Sequence, residues 1–369
     1  MHLKTGIPAV VAILLATSAS CTRQAYSEVP VCGYVSEILS DKSSHENELL
    51  QGLKNPGSSA DISVIGSFAA CQKLSGLMIT ADLHENVSGS CKPDGLPDFA
   101  GENVVSIMDR SVPAWRSCVE KGDTSLVREL AVRRAIAAID TTYNISTYDL
   151  DGNGHKNSSK VLILADAWYS SYGSFDVHTL LDATQSKVIV LNPVEVMYDA
   201  LFEKPGQKLT IGIICDSLYL GSNVYEQNFL ERAHNAGIAN CDCFCASVDS
   251  TEMPLIQFLD KYYNSGRILP LDAILVDDCN VDMGAMQSNL GQLLDYQLPE
   301  STSYNKLLEH GVTLMESSSA VAEECYHVLR SSNNFTHRIA YPTSQAYEIG
   351  YRQSVPQHPL MMTPYNVQN

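Results

Sequence analysis

From residue 160 onward, strand-length runs of Val, Ile and Leu alternate with amphipathic helical segments, and this alternation limits the possible folds more than any other feature. The apolar runs are Lys160–Ala165 (KVLILA), Lys187–Leu191 (KVIVL), Leu209–Ile214 (LTIGII), Cys241–Val248, Ala273–Val276 and Val312–Met315. Helical patterns separate them over 175–183, 194–202, 224–236, 254–264, 283–294 and 319–329. Strands that are apolar throughout are covered on both faces, which means parallel sheet with helices above and below. The class expected is α/β: two Rossmann-like domains with mainly parallel sheets and a cleft between them. Lys204-Pro205-Gly206 breaks the pattern, giving a first domain over 31–205, a second over 206–345 and a C-terminal tail over 346–369.

The start of the first domain is less regular. A helix ends near Leu53, a turn follows at Asn55–Ser58, and Ile62–Ile65 and Leu77–Thr80 read as short strands. Lys92–Gly101 is loop, rich in Pro, Gly and Asp. The next helix is capped by Asp123 or Thr124 and carries its apolar period from Leu126 to Ile139. An internal echo links the halves, since KVLILADAW, a helix and SKVIVL parallel DAILVDDCN, a helix and GVTLMESS.

In open α/β sheets, ligands bind beyond the carboxyl ends of the strands, where turns converge and helix N-termini offer free N–H groups. That rule nominates Asp166, Trp168, Tyr169, Ser170, Tyr172, Asn192 and Glu195 from the first half. From the second half it nominates Cys215, Asp216, Ser217, Asp277, Asp278, Cys279, Asn280, Glu316 and Ser317. Trp168, Tyr169 and Tyr172 would serve as aromatic walls for a small ligand.

The N-terminus has the layout of an export signal: Lys4, the apolar run Gly6–Ala16, small residues to Ser20 and then Cys21. The SAS-C ending resembles a lipobox, although Ser18 stands where Leu is usual, so lipidation of Cys21 is expected, with 1–20 removed and 21–30 a tether. The expected location is the cell envelope, periplasmic or surface-facing, held to the membrane by the lipid alone. No other segment has the ~20 apolar residues of a span. A formal charge of −18, one unit more negative without Lys4, repels nucleic acid and anionic headgroups. Ten of the eleven cysteines follow Cys21, but their spacing gives no staple framework, and most are expected as buried thiols.

Three short patterns suggest metals, and each has a plainer reading. Asp149-Leu-Asp151-Gly-Asn153-Gly-His155 opens like a calcium loop, yet Lys160 occupies the twelfth position, where a Glu is needed. Cys241, Cys243 and Cys245 share a strand face but crowd too closely to ligate one tetrahedral ion. Asp82-Leu-His84 echoes the opening of metallophosphoesterases without their later segments. No metal or cofactor is therefore expected. His337-Arg338 is a candidate anion contact, with a solvated surface or carbonyl-capping role as its plainer reading.

LDAILVDDCN, with Asp277-Asp278-Cys279-Asn280 after its strand, resembles the Cys-Asn turn of the aspartate/glutamate racemase superfamily. That resemblance implies proton transfer at a substrate Cα by two facing cysteines. Here the matching first-half turn, Asp166-Ala167-Trp168, has no thiol. A second resemblance covers about residues 208–340, where KLTIGIICDS and LPLDAILVDDCN are similar to the type I periplasmic-binding fold. It implies two hinged lobes closing on a small polar ligand. The leading expectation is an exported ligand-binding lipoprotein. The alternatives are a racemase- or hydrolase-like enzyme using Cys279, Asp277 or Asp278, and a non-enzymatic envelope structural or assembly protein.

Overall fold

A computed structural model describes residues 30–110, 112–146, 148–149, 151–203, 208–222, 224–249, 253–299, 301–351 and 360–365. The leader and Cys21 lie outside the described residues. In chain order, α1 (Gly33–Ser40) and α2 (His45–Gly52) precede β1 (Asp61–Gly66), α3 (Phe68–Thr80), β2 (Asn103–Asp109), α4 (Val112–Glu120) and α5 (Thr124–Ile139). A small hairpin, β3 (Thr142–Tyr143) and β4 (Gly154–His155), leads to β5 (Ser159–Leu164), α6 (Ala167–Tyr172), α7 (Ser174–Thr184), β6 (Ile189–Leu191) and α8 (Pro193–Phe202). The second series is β7 (Lys208–Cys215), α9 (Glu226–Asn235), β8 (Asn240–Ala246), α10 (Pro254–Asn264), β9 (Leu271–Asp277), α11 (Met283–Leu294), α12 (Ser301–Tyr304) and β10 (Leu308–Glu316). The chain closes with α13 (Ser317–Ser331), β11 (Thr343–Tyr351) and β12 (Leu360–Pro364).

The protein has the expected α/β fold with two mainly parallel sheets. One sheet runs β12-β11-β2-β1-β5-β6 and the other β10-β9-β7-β8. Within each series the first four strands take the same order, 2-1-3-4: β2-β1-β5-β6 and β8-β7-β9-β10. The sequence echo therefore falls on the third and fourth strands of each set. In this order the crevice lies between the turns after strands one and three. These turns are Ser67 and Asp166 in the first lobe, and Asp216 and Asp277–Cys279 in the second.

Local chemistry explains the elements. Every residue of β1 and β5 is buried, as continuous apolar runs require. Asp123 caps α5 by accepting from the Leu126 N–H, and Asn192 caps α8, where Pro193 sits at N1. The central strands of the first sheet are also pinned by buried charge. Arg134 pairs with Asp109, both fully buried, and Lys160 Nζ lies 2.8 Å from Glu102.

Three expectations need correction. Leu77–Thr80 is the end of helix α3, whose buried residues Cys71, Leu74 and Met78 keep a helical spacing. Asn103–Asp109 was not expected as a strand, yet β2 pairs with both β1 and β11. The segment 346–369 is not a tail. It supplies most of β11 and all of β12, which extend the first sheet. Helix α13 also returns to this lobe, packing on α8 and α3.

Candidate active site

The turn after β5 begins with Asp166, which caps α6 by accepting from the Trp168 N–H at 3.1 Å. The residue is only 3% exposed, and its Oδ2 has no hydrogen-bond partner among the described residues. Burial raises its pKa to about 7; the Trp168 N–H and the nearby Tyr219 hydroxyl oppose that rise, and Asp277 and Asp109 add to it. Asn192 holds the turn from behind, donating through Nδ2 to the carbonyls of Leu164 at 2.7 Å and Asp166 at 3.3 Å. The result is a buried carboxyl poised to exchange a proton near neutral pH.

The equivalent turn after β9 carries Asp277, Asp278, Cys279 and Asn280. Tyr225 donates its hydroxyl to Asp277 Oδ2 at 2.6 Å. Burial raises the Asp277 pKa, against the hydroxyls of Ser317 and Tyr225. Asp278 accepts from the backbone and side chain of Asn280 at 2.9 and 3.1 Å, folding the turn that presents Cys279. The thiol is half-buried. Its pKa is pushed up to about 12 by burial and then by Asp277, with Lys73 opposing and Asp166 adding a smaller upward push. Cys279 is therefore a protonated thiol within electrostatic reach of Asp166.

Lys73, from α3, closes the arrangement. Its Nζ pairs with Glu316 at 2.5 Å and donates to the Cys279 carbonyl at 3.4 Å. An open groove of about 620 Å³ leads to this point, lined by Gln72, Lys73, Gly76, Cys279, Asn280 and Ser344 among others. Another open depression, of about 660 Å³, lies over Glu226, Gln227, Leu230 and Glu231 on α9 and carries no group from either turn.

Other nominated residues have different surroundings. Trp168 and Tyr169 are fully buried, so they are not walls of an open cleft. Trp168 packs against Tyr219 at 5.5 Å, whereas Tyr169 meets Trp115 at 5.2 Å. Tyr172 is half-buried and lies 6.1 Å from Trp168. Ser170 bonds the Ala167 carbonyl, and its own carbonyl accepts from Asn228. Glu195 faces Arg232 at 3.7 Å. Cys215 is buried within β7. Asp216 caps the short turn Ser217–Tyr219, and Arg116 holds the Ser217 carbonyl at 3.3 Å. Ser317 is buried beside Asp277 at the start of α13.

Sequence reasoning missed Lys73, Tyr219 and Tyr225. The misread of α3 hid the first. Tyr219 lies outside every helical or strand pattern, and the pattern over 224–236 does not single out Tyr225, so only tertiary contact reveals them.

The short patterns resolve into local roles. Asp149 accepts from the backbone of Ile145, Asp151 and Asn153, making a turn before β5. Lys160 is committed to Glu102, Ser58 and Asn334. Cys243 and Cys245 place their sulfurs 3.9 Å apart, and all ten described cysteines are free thiols. His337 and Arg338 are exposed at the opposite end of the first sheet, near Gly101. No helix among the described residues is long and apolar enough to cross a membrane.

No protein-family model matches the chain, and no curated protein matches it in sequence. Solved structures do. Glutamate racemase from Francisella tularensis subsp. tularensis SCHU S4, in complex with D-glutamate, matches at a TM-score of 0.47 and 12% identity, over 81% of this chain and 90% of that one. The RacE1 isoform of glutamate racemase from Bacillus anthracis matches at 0.44 and 14%, over 79% and 89%. Glutamate racemase from Thermus thermophilus, in complex with beta-chloro-D-alanine, matches at 0.43 and 13%, over 80% and 90%.

Proposed function

We propose that the protein is a proton-transfer enzyme of the racemase or isomerase type, acting on a small carboxylic acid with Asp166 and Cys279 as its acid–base pair. The observation that carries this reading is topological. The third strand of each set ends in a turn with a protic side chain, Asp166 in one and Cys279, beside Asp277 and Asp278, in the other, and Asp166 and Cys279 lie within electrostatic reach of each other. Asp166, ionised in part near neutral pH, accepts the proton from the substrate Cα. The Cys279 thiol delivers a proton to the opposite face, leaving a thiolate and a neutral Asp166 that re-equilibrate with water. Lys73 and the N-termini of α3 and α13 supply positive potential for the substrate carboxylate and the carbanion. Tyr225 and Asp277 hold the thiol's turn in place.

The test is exchange in deuterium oxide against a panel of D- and L-amino acids and 2-hydroxy acids, followed by loss of the α-proton NMR signal. At least one member should exchange, and Cys279→Ser should slow interconversion of its enantiomers by roughly 100-fold or more. No exchange across the panel contradicts the proposal.

Export with lipidation at Cys21 is carried as a further part of this proposal, supported by the leader pattern in the sequence. It places the small-molecule substrate in the cell envelope, with the lipid as the membrane contact and no nucleic-acid partner. Incorporation of a lipid precursor that is lost in Cys21→Ala supports it; a cytosolic product retaining Met1 contradicts it.

A further inference from the structure

His84 is a buried imidazole without a hydrogen bond. It is 2% exposed, and neither ring nitrogen has a hydrogen-bond partner among the described residues. Its ring stacks on Tyr326, with centroids 4.2 Å apart and planes within 15°. The Nδ1 edge faces Asp98 Oδ2 at 3.6 Å, and Asp98 is itself fixed by the N–H groups of Leu83 and His84, each at 2.9 Å. The imidazole lies edge-on to His327, with ring centroids 5.4 Å apart. Beside it stand Glu323 and His327, one turn apart on α13, with Nε2 and Oε1 3.7 Å apart and both side chains about half exposed. One ligand atom from each of His84, Glu323 and His327 falls within 4.8 Å of the others.

We propose that His84, Glu323 and His327 form a binding site for a zinc-type divalent cation. Two imidazoles and one carboxylate suit zinc, whereas calcium and magnesium prefer all-oxygen shells. Ligand atoms around tetrahedral zinc lie about 3.3 Å apart. Glu323 and His327, being exposed, can close the remaining distance by rotamer change while His84 stays fixed. Asp98 then acts as the carboxylate behind a ligating histidine, setting its tautomer and ring orientation. The loop is already secured to α13, because Arg330 donates to the carbonyls of Val87 at 2.7 Å and Asn86 at 3.4 Å. Three protein ligands leave a fourth position to water.

This site is separate from the proposed acid–base pair. His327 lies ten residues beyond Ser317 along α13, about 15 Å at the rise of a helix. Asp82 takes no part in it, since its carboxylate holds the N–H groups of Asp94 and Gly95.

The experiment is calorimetric titration of the chelator-stripped full chain with zinc sulfate. One ion per chain should bind, with Kd weakened at least about tenfold in His327→Ala and in Glu323→Gln. Both residues are half exposed, so these variants should fold normally, as circular dichroism can verify. Asp98→Asn should weaken binding about 10-fold to 100-fold, as loss of a supporting carboxylate does elsewhere. Absence of stoichiometric binding overturns the proposal. So does a bound ion whose affinity is unchanged in His327→Ala, which would place the metal elsewhere, such as on Cys241, Cys243 and Cys245.

Discussion

The two lobes share a strand order, but among the described residues the fully buried ion pairs Arg134–Asp109 and Lys160–Glu102 belong to the first. In the first, β1 and β5 are buried along their whole length, and Arg134–Asp109 and Lys160–Glu102 are sealed inside. In the second, β10 is largely half-exposed, and two ion pairs within the lobe are partly exposed. Arg267 and Asp242 each leave 34% of the side chain exposed, and Lys208 and Glu309 leave more. The same contrast reaches the candidate site, where Asp166 is buried and Cys279 opens to the groove. In the proposed mechanism one topology thus supplies a desolvated base from the first lobe and a half-buried thiol from the second.

The largest expected effect tests whether both lobes contribute chemistry. Asp166→Asn and Cys279→Ser should each lower turnover by about 10²–10⁴-fold, measured as the steady-state rate on whichever substrate the exchange panel identifies. An effect confined to one variant would make the site one-sided.

Stability should divide the lobes next. Asp109→Asn leaves the buried Arg134 without its carboxylate and should cost about 3–5 kcal/mol in urea unfolding. Asp242→Asn, which breaks a partly exposed pair, should cost less than about 1 kcal/mol. Equal costs would erase the distinction between the lobes.

The pH dependence follows from Asp166. Its pKa is raised from 3.8 to about 7 on folding, so between those values the folded chain holds a proton that the unfolded chain has released. Stability from this group is therefore present below pH 3.8 and is lost as pH rises toward 7. Asp166→Asn should flatten that slope in urea unfolding measured from pH 4 to 7. Over the same range the exchange rate should rise as the base ionises. A slope unchanged by the substitution would assign it to other raised carboxyls, such as Asp277 or Glu195.

The smallest effect concerns the groove. Lys73→Met should raise KM several-fold while changing kcat less, because the ammonium faces the groove rather than the buried carboxyl. A selective loss of kcat would instead place Lys73 in the proton path.

Much of the second lobe was legible in the sequence. The boundaries of α10 and α11 were readable to the residue, since each has a clean apolar period and a Pro or Asp at its start. The first lobe was harder. Leu77–Thr80 is a short apolar run with Ile and Thr, which alone reads as strand, and the helical spacing shows only when Cys71 and Leu74 are joined to it. β11 and β12 pair with strands more than 200 residues away or across a reversed edge, which no local pattern encodes. Fold logic nominates Asp166 and Cys279 because turn residues follow strands. It could not separate Asp166, whose carboxyl is buried and open on one oxygen, from Asn192, whose amide is spent on two carbonyls.

The most direct test is enantiomer-resolved exchange in deuterium oxide with Asp166→Asn and Cys279→Ser. If one protic group serves each face of the substrate, each variant should lose interconversion yet retain α-proton exchange of a single enantiomer, and the two variants should retain opposite ones. Retention of the same enantiomer by both, or full interconversion by either, would contradict a pair divided between the lobes.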